Sequence, residues 1–277
     1  MKTKHYNMKT MYRVAFMVVA IVLLVASVPV RTFATETDDR IESSSKDSYV
    51  FKKLLKDDAI QIESKGGVVV LTGTVAEESH KSLAQETVAN VPGVTSVDNQ
   101  LELKGEPYIE NSDMWITTKV KSTLLFNRNV SVMTKVDTKD GIVTLEGEAD
   151  SQAQKDLTTE YAKDIDGVKD VQNKMTVTGT PKAPGKKTIG DKVSDKVSDM
   201  GESIDDASIT ALVKMTLLYH RSTSGLQTRV ETNKGMVTLA GTAKNAAERD
   251  LATKYAQDVH GVNSVVNNMT VGEPKAN

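Results

Sequence analysis

One heptapeptide occurs three times along the chain, and it limits the possible folds more than any other feature. Gly67-Val-Val-Val-Leu-Thr-Gly73, Gly141-Ile-Val-Thr-Leu-Glu-Gly147 and Gly235-Met-Val-Thr-Leu-Ala-Gly241 share one pattern of glycines around a β-type run. A second segment follows each copy: Val91-Pro-Gly93-Val-Thr-Ser-Val97, Ile165-Asp-Gly167-Val-Lys-Asp-Val171 and Val259-His-Gly261-Val-Asn-Ser-Val265. From Gly73 to Gly93, Gly147 to Gly167 and Gly241 to Gly261 the interval is 20 residues each time. Equal spacing in three places is the mark of one structural unit repeated. The first glycines lie 74 and then 94 residues apart, so the second junction carries an insertion.

Each copy reads the same way. Ile62, Val136 and Val230 lie in short β-type runs five residues before the first glycine. That glycine makes the tight turn of a hairpin, where positive φ is needed. In the partner strand Val69 and Leu71, Val143 and Leu145, or Val237 and Leu239 share one face. The second glycine is read as ending this strand. A helix follows, with stripes Leu83, Thr87, Val88, Val91; Leu157, Tyr161, Ala162, Ile165; and Leu251, Tyr255, Ala256, Val259. The third glycine is read as its carboxyl cap, and a last strand such as Val168 to Val177 closes the unit. Ahead of each hairpin comes an opening helix, with Ile116, Val120 and Leu124, or Ile209, Val213 and Leu217, on its apolar stripe. Asp113 and Asp206 are placed to be its N-caps. In the first copy Ile41, Ser48, Phe51 and Leu55 fall near one face. The fold class is therefore α/β (α+β): three α-β-β-α-β modules, each a three-stranded mixed sheet covered by two helices on one face. The crossover should bring the last strand in parallel to the second.

The boundaries follow: 1–34 a signal peptide, 38–105, 112–178 and 205–272 the modules, 179–204 a linker. Lys2 to Arg13 is basic, Val14 to Val28 almost wholly apolar, and Thr32-Phe33-Ala34 precedes an acidic run. This reads as a secretory signal cleaved near Ala34, which places the protein in a bacterial periplasm; an uncleaved anchor is the other reading. In the linker Ile189, Val193, Val197, Met200 and Ile204 recur at helical spacing. Its polar face carries Asp191, Asp195, Asp199 and Glu202 against Lys192 and Lys196, so docking on a module is expected rather than membrane binding.

The glycine-punctuated pattern resembles the BON domain, the bacterial OsmY and nodulation domain. The residues that carry the resemblance are the G-[VIM]-V-[VT]-L-x-G strand, the G-V-x-x-V segment and the opening Asp206-x-x-Ile209-Thr210. It covers roughly Asp38 to Val271. Membership implies a non-enzymatic part in envelope maintenance and osmotic stress, with a phospholipid surface or unfolded envelope proteins as partners.

No residue pattern here asks for catalysis. The chain has no cysteine, which removes thiolate nucleophiles, disulfides and Cys-based zinc sites together. Residues 1–34 hold Lys2, Lys4, Lys9, Arg13 and Arg31 and no acid, so the remainder carries 30 basic against 37 acidic residues. That balance excludes the footprint of a nucleic-acid binder. No metal or cofactor is expected, because neither metal-ligand spacing nor a phosphate-binding glycine loop is present. His80, His220 and His260 occupy unrelated places and are read as solvent-exposed. Trp115 lies off the stripe of its helix, where the third copy has Ser208. It is either an exposed anchor for membrane or partner, or it packs against the first copy or the Tyr108 linker. Two functional readings remain: a chaperone-like or adaptor protein, and a structural spacer or assembly subunit. The oligomeric state is open.

Overall fold

The computed structural model describes residues 34–105, 109–130, 134–178, 204–223 and 227–272. The basic-apolar segment read as a signal lies outside them except for Ala34, and the expected 189–204 helix except for Ile204. The described residues form three modules of one design. The first contains α1 (Ala34–Asp47), a π-helical turn (Val50–Leu54), β1 (Ala59–Lys65), β2 (Val68–Val75), α2 (Glu78–Ala89), β3 (Ser96–Asn99) and β4 (Glu102–Leu103). The second contains α3 (Asp113–Phe126), β5 (Lys135–Lys139), β6 (Ile142–Glu146), β7 (Glu148–Ala149), α4 (Gln152–Lys163), β8 (Asp170–Asn173) and β9 (Thr176–Val177). The third contains α5 (Asp206–Tyr219), β10 (Gln227–Asn233), β11 (Met236–Ala243), α6 (Ala246–Asp258), β12 (Ser264–Asn267) and β13 (Thr270–Val271).

The main sheet of each module has the expected topology, with the last strand broken so that a short piece (β4, β9 or β13) pairs further along, in the second module with β7 as a separate pair. The hairpin is antiparallel, as in Ile62↔Leu71 and Val230↔Leu239. The crossover helix returns the last strand parallel to the second, as in Val69↔Val97, Val143↔Val171 and Val237↔Val265. The alternation read from sequence sets the core: Val69, Leu71, Val143, Leu145, Val237 and Leu239 are fully buried under the helices. Each such side chain contributes about 1.5–3 kcal/mol, which suits a chain with 4% aromatic residues.

Three local readings change. The second glycine does not end its strand: β2 and β11 run on through Gly73 and Gly241, and in the second module Gly147 separates β6 from β7. Beyond the glycine the ladder resumes in unchanged register, Thr74↔Glu102 after Leu71↔Asn99. A Cβ at Gly73 or Gly241 would stand 1.9 or 2.0 Å from a carbonyl oxygen of the opposite strand, so the glycine permits the close approach there. The third glycine is not the helix cap either, since the helices already end at Ala89, Lys163 and Asp258. Gly93, Gly167 and Gly261 sit at the third place of a four-residue turn closed by Val94 N–H to Val91, Val168 to Ile165 and Val262 to Val259. That place needs positive φ, whereas the place before it accepts Pro92, Asp166 or His260. Like these, Gly67, Gly141 and Gly235 have positive φ, each as the second residue of a two-residue hairpin loop.

The third change concerns the aspartates. The N-caps are one residue earlier than expected: Ser112 accepts from Trp115 N–H, and Asp205 from Ser208 N–H. Asp113 and Asp206 instead reach the hairpin loop. Asp113 accepts the N–H groups of Asp140 and Gly141 at 2.7 and 2.8 Å, and Asp206 those of Lys234 and Gly235 at 2.7 and 2.9 Å. Asp38 does the same for Gly66 and Gly67 and also accepts the Ser64 hydroxyl. The Ser64 hydroxyl and the loop amides hold the Asp38 carboxyl below its usual range, and the loop amides do so for Asp113. In each module one carboxylate thus pins the opening helix to the hairpin tip.

Candidate functional site

The most elaborate polar construction lies where the second and third modules meet. It is reciprocal. Asn127, just past α3, bridges to Val259 past α6, while His220, just past α5, bridges to Ile165 past α4. Arg128 N–H donates to the Asp258 carbonyl at 2.9 Å, and Arg221 N–H donates to the Asp164 carbonyl at 2.7 Å. The Arg128 guanidinium donates to the carbonyls of Val262 and Gln257, and that of Arg221 to Lys163. Tyr161 donates to Asp258 Oδ2 at 2.5 Å; Tyr255 donates to Asp164 Oδ2 at 2.7 Å. Asn129 and Ser222 donate to the remaining oxygens of Asp258 and Asp164, both at 2.6 Å. Contacts exchanged in this way define an isologous interface, here folded into one chain.

Equivalent aromatic rings meet on the local two-fold axis. Phe126 stacks on Tyr219 at 6.5 Å, and Tyr161 meets Tyr255 at 5.5 Å. Burial and the facing carboxylates push both seam tyrosines far above the ordinary phenol value. For Asp164 burial acts upward, but the donors around it prevail and the carboxyl lies below its ordinary value. A groove of about 480 Å³ opens along this axis between α4 and α6, with Leu157 and Leu251 among its walls. Both carboxylates facing it are already supplied with protein donors. The chemistry of the seam is therefore adhesion between modules.

The histidines are not solvent-exposed. His220 is fully buried, its ring 3.9 Å from that of Tyr255, with Nδ1 3.3 Å from Asp164 Oδ2. His260 is partly buried, and its N–H donates to the Phe126 carbonyl. His80 pairs with the buried Asp58 at 2.6 Å and ties the start of α2 to the base of the hairpin. The neighbouring Ser79 hydroxyl donates to Glu77 rather than to that pair. Among the described residues no group of three or more His, Asp or Glu side chains is disposed to hold a metal ion.

The first module joins the third differently. Asp205, the cap of α5, also accepts Tyr49 N–H at 2.8 Å, and Ser208 Oγ accepts Val50 N–H at 3.1 Å. Lys214 pairs with Glu86 at 2.9 Å. Helix α5 is consequently buried over most of its surface, with Leu218 left exposed, which its largely apolar sequence Ile-Thr-Ala-Leu-Val-Lys-Met-Thr-Leu-Leu-Tyr fits. Trp115 is partly buried at the start of α3, with Lys119 Nζ 3.7 Å above its ring and 5.2 Å from that of Tyr219. Burial pulls the Lys119 ammonium below its usual range, against the pull of Asp166 and Glu110.

Comparison with known proteins agrees with the repeated architecture. The model of the BON domain matches residues 37–105, 112–179 and 205–273, most of the chain. The chain belongs to the BON-domain family. Osmotically-inducible protein Y of Escherichia coli is 30% identical over 202 residues, covering 73% of this chain and 92% of that protein. A 21 kDa hemolysin of Actinobacillus pleuropneumoniae is 34% identical over 148 residues, 51% of this chain and 75% of the relative. Outer membrane lipoprotein DolP of Haemophilus influenzae is 31% identical over 159 residues, 55% and 80% of the two chains. Among the described residues of the three BON modules, no helix is long and apolar enough to cross a membrane.

Proposed function

We propose that this BON-repeat protein is an exported, non-enzymatic component of the bacterial envelope. In this reading it acts under osmotic or envelope stress as a chaperone-like adaptor for phospholipid surfaces or unfolded exported proteins. The observation that carries the reading is the sheet face opposite the helices. Val68 and Met236 alternate with the buried core residues of their strands, Val266 follows the partly buried Val265, and all three are exposed large apolar side chains. Such scattered apolar spots on repeated modules favour weak contacts made several at a time. The names of two relatives, an osmotically inducible protein and an outer membrane lipoprotein, support the setting. Trp115, half-buried beside Lys119, is the side chain we assign to report a nearby lipid or client.

The test is flotation of the whole chain with neutral and with anionic vesicles, alongside suppression of aggregation of an unfolded outer-membrane protein. Binding in either assay that weakens in the combined Val68→Ser, Met236→Ser, Val266→Ser variant is the expected result. A chain inactive in both assays would end this reading. It would leave a second one, an envelope spacer or assembly subunit, which the saturated seam between the second and third modules favours.

A further inference from the structure

Two histidines of the third module stand at its seam with the second, and neither is satisfied there. His220 lies between the rings of Tyr255, stacked at 3.9 Å and 16°, and Tyr161, tilted at 5.2 Å. Its Nδ1 makes only a long contact with Asp164 Oδ2, at 3.3 Å, and its Nε2 is buried without a partner. Asp164 is already engaged by the hydroxyls of Tyr255 and Ser222. On the reciprocal side His260 has a buried Nε2 without a partner, and the Arg128 guanidinium crosses from the second module beside it to the Val262 carbonyl.

We infer that this seam is a proton-sensitive latch: it closes on two neutral imidazoles, and protonating them separates the second BON module from the third. Separation would expose surface that the seam covers, Tyr161 and Ile165 on one side and Val259 on the other. The groups facing His220 are Tyr161 and Asp164 from the second module and Tyr255 from α6, with Arg221 next to it in sequence. Those around His260 are Arg128 from the second module and Asp258 on its own segment. For His220 burial disfavours the imidazolium and outweighs Asp164, so the ring titrates below the ordinary range. Burial and then the Arg128 charge act in the same direction on His260. A base held below its ordinary pKa in the closed form binds more protons in the open form. Closure is thus fully favoured above the ordinary value of 6.5 and weakens as pH falls below it. Asp164 lies below its ordinary value of 3.8, so its own contribution is lost only in more acid solution. The inference does not depend on what the sheet faces bind.

Amide hydrogen exchange of the full chain by NMR, corrected for intrinsic rates, tests the latch at about pH 7.5 and about pH 5. The N–H groups of Arg128, Arg221 and His260 cross the seam, whereas those of Gly141 and Gly235 stay within their modules. At the lower pH the crossing amides should lose protection by up to about thirty-fold for each imidazole that titrates. The amides within modules should keep theirs. In the H220N/H260N variant, which borrows the Asn127 of the second module at the first position, the crossing amides should stay protected at both pH values. Unchanged protection in the natural chain, or equal loss in the variant, would overturn the latch. Should the variant misfold, the profile of the natural chain decides. A midpoint between about pH 5 and 6.5 supports the latch, and one below about 4 assigns the loss to carboxylates and rejects it.

Discussion

The third module is held by its neighbours in two unlike ways. With the second it exchanges each contact twice: Tyr161 to Asp258 and Tyr255 to Asp164, Arg128 to the Asp258 carbonyl and Arg221 to that of Asp164. With the first it makes a one-sided contact, in which the amides of Tyr49 and Val50 meet the cap of α5 and Glu86 meets Lys214. The cause is visible in the repeats. Where the second and third modules have Tyr and Asp six and three residues before the turn glycine, the first has Thr87 and Asn90. Modules of one design thus acquire different neighbours, and the Tyr and Asp at the end of the crossover helix are among the residues that differ. Self-complementary residues form a seam only with another module that carries them.

The largest effect should come from removing both seam carboxylates. D164A/D258A strands the part-buried Tyr161 and Tyr255 hydroxyls without their acceptors, at about 1–3 kcal/mol for each, whereas the exposed Ser222 and Asn129 can turn to water. Denaturant unfolding should then resolve into separate transitions for the second and third modules, with coupling reduced by about 2–5 kcal/mol. One transition at an unchanged midpoint would show that the seam adds no stability, and the contrast with the first module would collapse.

Much of the module was legible because its signals are local. The hairpins, crossover helices, parallel closing strand and core residues follow from glycine spacing and periodicity within about seventy residues. The N-cap expectation missed by one residue because Ser112–Asp113 and Asp205–Asp206 each place two cap-competent side chains side by side. Only the folded hairpin shows that the second aspartate is used for the loop amides. The seam was not legible by the same route, since its pairs lie 91 and 97 residues apart. A position-by-position comparison of the repeats would have exposed it: Tyr161 and Tyr255, and Asp164 and Asp258, agree with each other and differ from the first copy. The burial of the histidines escapes the sequence for a related reason. A turn that tolerates Pro, Asp or His says what the backbone accepts, not whether another module covers the side chain.

A middle-sized effect is expected at Asp205, the residue on which the one-sided contact turns. Its carboxylate caps α5 through Ser208 N–H at 2.8 Å and holds Tyr49 N–H at 2.8 Å. D205A should cost about 1–2 kcal/mol, the worth of a helix cap, and expose the Tyr49 amide to exchange. D205N keeps one carbonyl acceptor and should recover part of the loss. If the Tyr49 amide stays protected in D205A, the first module is docked by its apolar contacts alone, and the polar half of the contact adds nothing.

The smallest effect belongs to Lys214 and Glu86. Their side chains are 31% and 33% exposed, so water and salt screen the pair. A double-mutant cycle through K214A and E86A should return about 0.2–1 kcal/mol at about 0.1 M salt and less at about 1 M. This sets the scale for the comparison from below. An ion pair at a half-open margin orients the first module without holding it, whereas the part-buried tyrosine hydroxyls on Asp164 and Asp258 help hold the second. A coupling above about 2 kcal/mol would place the two seams on equal footing. The unlike side chains at Thr87 and Asn90 would then no longer account for how the modules are arranged.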